Sequence, residues 1–236
     1  MLQTVVFHTL GQLATGILLF ITFVPPSKIG PGFGRFHTIL AWALWLLAFW
    51  GNYSIPFYLF TGFILVAFLF SKRDLLYYPF LVVSILLSIY LLIKAGPEAS
   101  LLSQLPAALV LGSSAVAMLL GHWYLVAPKL PITYLKAITI ALIAAILLRS
   151  AFITEAVWSH HDQLRAMHFY ELYGMFFLQR IALGLFLTLI LSVLTYFCVK
   201  IRSTQSATGI LYVVLVFCLI GELTGAYLFV KTGYSL

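Results

Sequence analysis

The sequence predicts an all-α integral membrane protein: one domain over residues 1–236, built as a bundle of eight transmembrane helices with both termini on the outer, periplasmic side. Three observations carry that reading. The composition is 63% hydrophobic and only 8% charged, whereas an ordinary soluble domain carries about 25% charged residues. Eight apolar runs, bounded by charge, proline or glycine, approach or reach the length of about 20 residues that a helix needs to cross a hydrocarbon core. The basic residues gather in alternate inter-run segments.

The first run extends from Thr4 to Val24 and is closed by Pro25, Pro26 and Lys28. A cleaved leader needs a basic start, and MLQTVVFHTLGQL has no basic residue ahead of the apolar run, so it reads as a retained helix. The second run is Arg35 to Trp50 and the third Pro56 to Ser71, with Lys72, Arg73 and Asp74 separating it from the fourth, Leu75 to Lys94. The fifth spans Gln104 to Val126 and the sixth Ile132 to Ala156. A polar stretch, SHHDQLRAMHFYE, precedes the seventh, Leu172 to Lys200, and the eighth covers Ser206 to Val230.

Segments after the odd-numbered runs carry Lys28, Arg35, Lys72, Arg73, Lys129, Lys136, Lys200 and Arg202, against Lys94, Arg165 and Lys231 on the other side. The positive-inside rule then places both termini outside, in a bacterial-type inner membrane. Glu98, Glu155, Asp162 and Glu171 fall on the outer side and Asp74 on the inner. The net charge of +7 is therefore a topology signal, and nothing in it points to nucleic acid. Cys198 and Cys218 lie in apolar runs without CxxC spacing and read as packing residues.

A faint internal echo links TFVPPSKIGPGFGRFHTILAWALWLLAF with WYLVAPKLPITYLKAITIALIAAILLRSAF, each a helix end, proline, lysine, short turn and second apolar helix. It raises two four-helix halves, 1–95 and 104–236, though an inward turn ending in proline and lysine explains the echo equally well.

Polar residues inside the runs mark faces that turn inward. Thr4, His8, Gln12 and Thr15 form one stripe; Arg180, Gly184, Thr188 and Ser192 repeat strictly at four; Ser114, Met118 and His122 do the same. Gly221 and Gly225 form a small-xxx-small pair beside Glu222. The third and fourth runs hold almost nothing polar and are expected at the periphery, facing lipid or a partner subunit. Arg149, Arg180 and Glu222 lie deep, where ions must face the bundle and pair. They form either a structural ion pair or the working centre of a site for an anionic or polar ligand.

The topology sorts the histidines into two pairs. His37 and His122 fall near the inner boundary with Arg35 and Lys129 beside them; His8 and His168 fall near the outer one, with Arg165, Arg149 and Arg180 close by. Haem b takes two axial imidazoles from different helices at equal depth, so these four are candidate haem-iron ligands, with Arg35 and Gln12 as further cofactor contacts. The rival use of Glu155, His160, His161, Asp162, His168 and Glu171 is a divalent-metal or proton-gathering cluster. Asn52-Tyr53-Ser54 matches a glycosylation sequon in a tight membrane-proximal turn that disfavours its use.

Eight helices is similar to the number in the quinol-reactive membrane anchors of the polysulfide and nitrite reductase type; the similarity is one of helix number, and no residue is carried over from it. The expected function is a membrane subunit of a respiratory or photosynthetic-type electron-transfer complex. It would bind haem b or quinone within the bundle and exchange electrons with partner subunits such as a periplasmic cytochrome or an iron-sulfur protein. The competing readings are a small-solute or ion transporter with Arg149, Arg180 and Glu222 at its midplane, and a structural accessory subunit. Transporters interrupt matching helices with Gly or Pro, and most prolines here sit at run ends.

Overall fold

The computed structural model describes residues 2–49, 54–95, 101–127 and 130–236, and all of the regular structure among them is helical. In order these are α1 (Leu2–Ile21), a short α2 (Pro26–Ile29), α3 (Pro31–Ala48), α4 (Ile55–Leu69), α5 (Asp74–Ala95), α6 (Leu101–Val126), α7 (Thr133–Ser159), α8 (His161–Ala166), α9 (Phe169–Gln179), a π-helical segment Arg180–Leu187, α10 (Thr188–Lys200) and α11 (Thr204–Thr232). Six stretches, Thr4–Ile21, Asp74–Lys94, Ser103–Val126, Thr133–Ser159, Phe169–Lys200 and Thr204–Thr232, are long and apolar enough to cross a membrane, which suggests an integral membrane protein. The other two expected crossings fall on α4, of 15 residues, and on α3, which carries Arg35 and His37 in its first half; neither is among the six. Lys129, Glu98 and Asn52-Tyr53 of the sequon lie outside the described residues.

Local chemistry sets several helix ends. Pro26, Pro31 and Pro56 sit in first turns, where a missing N–H goes unnoticed and the fixed φ suits a helix. Gly30, at φ 110°, makes the tight turn from α2 to α3. The polar stretch SHHDQLRAMHFYE folds into α8 and the start of α9, with Leu164 and Phe169 buried. Leu164 and Phe169 offset the ordering of the segment by packing against Leu228.

The centre of the molecule is the contact of α1 with α6. Gly16 and Gly112 meet there backbone to backbone: a Cβ on Gly16 would lie 2.7 Å from the Gly112 Cα. Close backbone approach of this kind is how helices associate where lipid removes the hydrophobic drive. Around this axis α1 packs on α3 and α5, α3 on α4, and α4 on α5; likewise α6 packs on α7 and α11, α7 on α10, and α10 on α11.

The fourth run is less peripheral than its sequence implies. Ser88 of α5 is fully buried, receives the Trp45 indole N–H at 2.7 Å and shares a 2.7 Å hydrogen bond with Thr15. The opposite face does expose Leu75, Val82, Leu86 and Ile93, and α4 exposes Ile55, Leu59, Leu65 and Leu69, faces compatible with lipid contact.

Segments following the odd-numbered runs collect at one end. Trp123 donates to the Ile29 carbonyl at 3.3 Å, Arg35 donates to Ser71 Oγ at 2.7 Å, and Lys136 lies 5.7 Å from the Tyr196 ring. At the other end Gln104 donates to the Leu92 carbonyl and His160 lies on Tyr234.

Candidate functional site

Near that second end, three helical segments deliver ions to one place. Arg149 of α7 grips Glu222 of α11 with two hydrogen bonds, Nε to Oε1 at 3.1 Å and Nη2 to Oε2 at 2.9 Å, and donates Nη1 to the Ser103 carbonyl at 3.1 Å. Arg180, the first residue of the π segment, donates Nη1 to the Gly221 carbonyl at 2.7 Å and reaches Glu222 Oε2 only at 3.5 Å. All three side chains are buried.

Small residues make this possible. Gly184 and Gly221 touch, a Cβ on either lying 2.7 Å from the other's Cα, so the π segment and α11 run close together. One turn further on, a Cβ at Gly225 would occupy the space of the Arg180 guanidinium. The strict repeat Arg180, Gly184, Thr188, Ser192 has its own cause. In an α-helix a four-residue step overshoots one turn by about 40°, whereas the wider π turn holds the first two steps back. All four residues are therefore buried on one face.

The cluster borders a cavity of about 30 Å³ whose walls include His8 and Gln12 of α1, Ser103 and Gln104 of α6, Arg149, Glu222, Gly225 and Phe229. His8 is 4% exposed, meets the Gln104 side chain, and leaves its Nε2 without a hydrogen-bond partner; Arg180 Nε is likewise unpartnered. Five residues expected from sequence, His8, Gln12, Arg149, Arg180 and Glu222, thus converge. Sequence reasoning missed Ser103 and Gln104. A signal existed for the second: Gln104, Ala108 and Gly112 repeat at four, and Gly112 is the face of α6 that meets α1.

The members of each histidine pair sit in different surroundings. His37 is fully buried; its Nδ1 donates to the Phe33 carbonyl at 2.8 Å and its Nε2 has no partner. His122 is exposed on α6 and lies 3.3 Å from the Tyr212 hydroxyl, because the stripe Ser114, Met118, His122 leaves the interior as α6 reaches its end. His8 faces the ion cluster, whereas His168 is exposed, caps α9 in a left-handed conformation and lies 3.2 Å from Glu171. His160 turns to the Ala156 carbonyl and His161 to Asp162. Among the described residues no three His, Cys, Asp or Glu side chains gather as a metal ion requires.

A second, larger concavity of about 570 Å³ lies between α7 and the α9–π rod, walled by Ile153, Val157, Phe177 and Ile181 with Thr154, Trp158, His161 and Asp162 toward its rim. Its size and its mainly apolar wall with a few polar groups suit a small organic ligand. It adjoins the ion cluster in sequence and space: Ile153 is one turn beyond Arg149, and Ile181 follows Arg180.

No family model matches the chain, and neither a curated protein nor a solved structure is similar to it.

Proposed function

We propose that this chain is a membrane subunit of a respiratory or photosynthetic-type electron-transfer complex, seated in a bacterial-type inner membrane with eight crossings and both ends outside. In this reading it binds quinone in the groove between α7 and the α9–π rod, with haem b as a second cofactor, and exchanges electrons with partner subunits on its outer side. The observation that carries it is the adjacency of the 570 Å³ groove to the Arg149–Glu222–Arg180 cluster.

A bound quinone supplies two-electron, two-proton chemistry. The chain's own residues provide the setting. Ile153, Val157, Phe177 and Ile181 exclude water, and His161 and Asp162 at the rim are groups able to carry protons. Behind the wall, two fixed arginines facing one carboxylate make a positive field, which favours negative charge developing on a carbonyl oxygen. The haem part rests on His37, whose Nδ1–H is engaged by Phe33 so that Nε2 presents a lone pair, the tautomer of a metal-ligating imidazole. The exposed faces of α4 and α5 suit a partner subunit, and the matching neighbour order of the two four-helix sets supports an internal duplication.

Photolabelling with an azidoquinone in membranes tests this reading. Label is expected on peptides containing residues 153–162 or 177–181 and is expected to fall when Ile153→Trp fills the groove. Labelling elsewhere that Ile153→Trp leaves unchanged would remove the proposal. Transport of a small solute, ion or proton is the second reading, favoured by the π segment that begins at Arg180, since such segments cluster at functional sites. Uptake into proteoliposomes that Arg180→Gln abolishes would favour it.

A further inference from the structure

We infer that the cavity walled by α1, α6, α7 and α11 is a binding site for one small monovalent anion, with chloride as its occupant. Three independent observations lead there. The first is charge: Arg149 and Arg180 share the single carboxylate of Glu222, which leaves one positive charge without a counter-ion among the described residues of the cluster. The Gly221 carbonyl takes up one Arg180 N–H group, but an uncompensated charge buried in the bundle still favours a negative partner.

The second is the hydrogen-bond balance. Glu222 already accepts from Arg149 Nε, Arg149 Nη2 and Arg180 Nη2. What remains is donating capacity: Arg180 Nε is unpartnered, Arg149 has N–H groups beyond the three it uses, and the unpartnered Nε2 of the buried His8 becomes a donor in one tautomer. The unspent capacity of the charged groups is thus all donating, beside the amide groups of Gln12 and Gln104, which can both donate and accept.

The third is size. A water-sized particle needs about 10–15 Å³, and the cavity offers about 30 Å³, enough for a halide and too little for a quinone ring. Arg180 reaches it through Gly225, over which its guanidinium lies and which is part of the wall. The inference does not rest on the electron-transfer reading, and its test uses no redox signal.

Thermal unfolding of the purified full-length chain in sodium chloride, compared with sodium gluconate at equal ionic strength, reads the site, because gluconate is too large to enter. A ligand bound by the folded state alone raises the midpoint progressively with its concentration. The midpoint is expected to rise with chloride and not with gluconate. Glu222→Gln, which increases the uncompensated charge, should reach the same effect at roughly tenfold lower chloride, and Arg180→Gln, which leaves a neutral Arg149–Glu222 pair, should lose the dependence. Because a variant of a buried cluster can fail to fold, the wild-type chain supplies the second measurement. Crystals grown in bromide should show an anomalous peak in the cavity within hydrogen-bond reach of Arg149 or His8. Identical melting of the wild type in the two salts, or a cavity without bromide, overturns the inference and leaves a site that holds water only.

Discussion

Arg149 holds Glu222 in a two-pronged grip, Nε on Oε1 at 3.1 Å and Nη2 on Oε2 at 2.9 Å, with both side chains 5% exposed. A buried pair of this kind is a poor source of net stability but a severe loss when one partner alone is removed. Arg149→Met or Glu222→Leu alone is expected to destabilise the chain by about 3–5 kcal/mol, and the double substitution by markedly less than the two singles added together. Unfolding in mixed micelles measures this. Additive losses would show that the residues do not act as a pair.

The contact of Gly16 with Gly112 sets the distance between α1 and α6, so any Cβ there forces the two central helices apart. Gly112→Ala should cost at least about 1–3 kcal/mol, the range for overpacking. Gly62, where an added Cβ would meet no atom within 4 Å, is the control, and Gly62→Ala should be neutral or mildly stabilising. Equal midpoints for the two variants would contradict the close approach.

His168 occupies the left-handed region at φ 50°, exposed at the start of α9. Glycine adopts that conformation freely, whereas a β-branched side chain is strained there by about 1–2 kcal/mol. His168→Gly should therefore leave the melting midpoint unchanged or raise it, and His168→Val should lower it. The reverse order would mean that the imidazole itself holds the turn.

His37 and His122 differ in a way that spectra can read. His37 is sealed in the bundle with Nε2 unpartnered, and His122 is exposed beside Tyr212. If the proposed haem b is bound, His37→Ala is expected to remove its α-band from the isolated chain, and His122→Ala to weaken it less. A band lost only with His122→Ala would reverse that assignment.

Much of the arrangement was legible in the sequence, and the reason is periodicity. Stripes at three and four residues identified the inward faces of α1, of the π segment with α10, and of α11, and depth alone singled out Arg149, Arg180 and Glu222. These converge because an ion in a bilayer has few places to go. Which helices become neighbours was not legible, since a stripe states that a face is buried and not against what. That is why Ser88, one hydroxyl in an apolar run, gave no sign of its bonds to Trp45 and Thr15. It is also why His37 and His122 could be paired on depth alone, with no sign that one would be buried and the other exposed. The π segment was hidden for another reason. Its four-residue repeat also fits an α-helix, and only the Thr188 hydroxyl reaching back to the Leu183 carbonyl, five residues away, records the wider turn.

Electron exchange with a quinone tests the central claim most directly. The tagged chain is isolated from native membranes together with whatever copurifies and mixed with a short-chain quinone or quinol, and the quinone absorbance is followed by stopped flow. Exchange is expected, and it should slow at least about tenfold, an effect of about 1.4 kcal/mol on the barrier, when Ile153→Trp fills the groove. A preparation that neither oxidises quinol nor reduces quinone would contradict the claim.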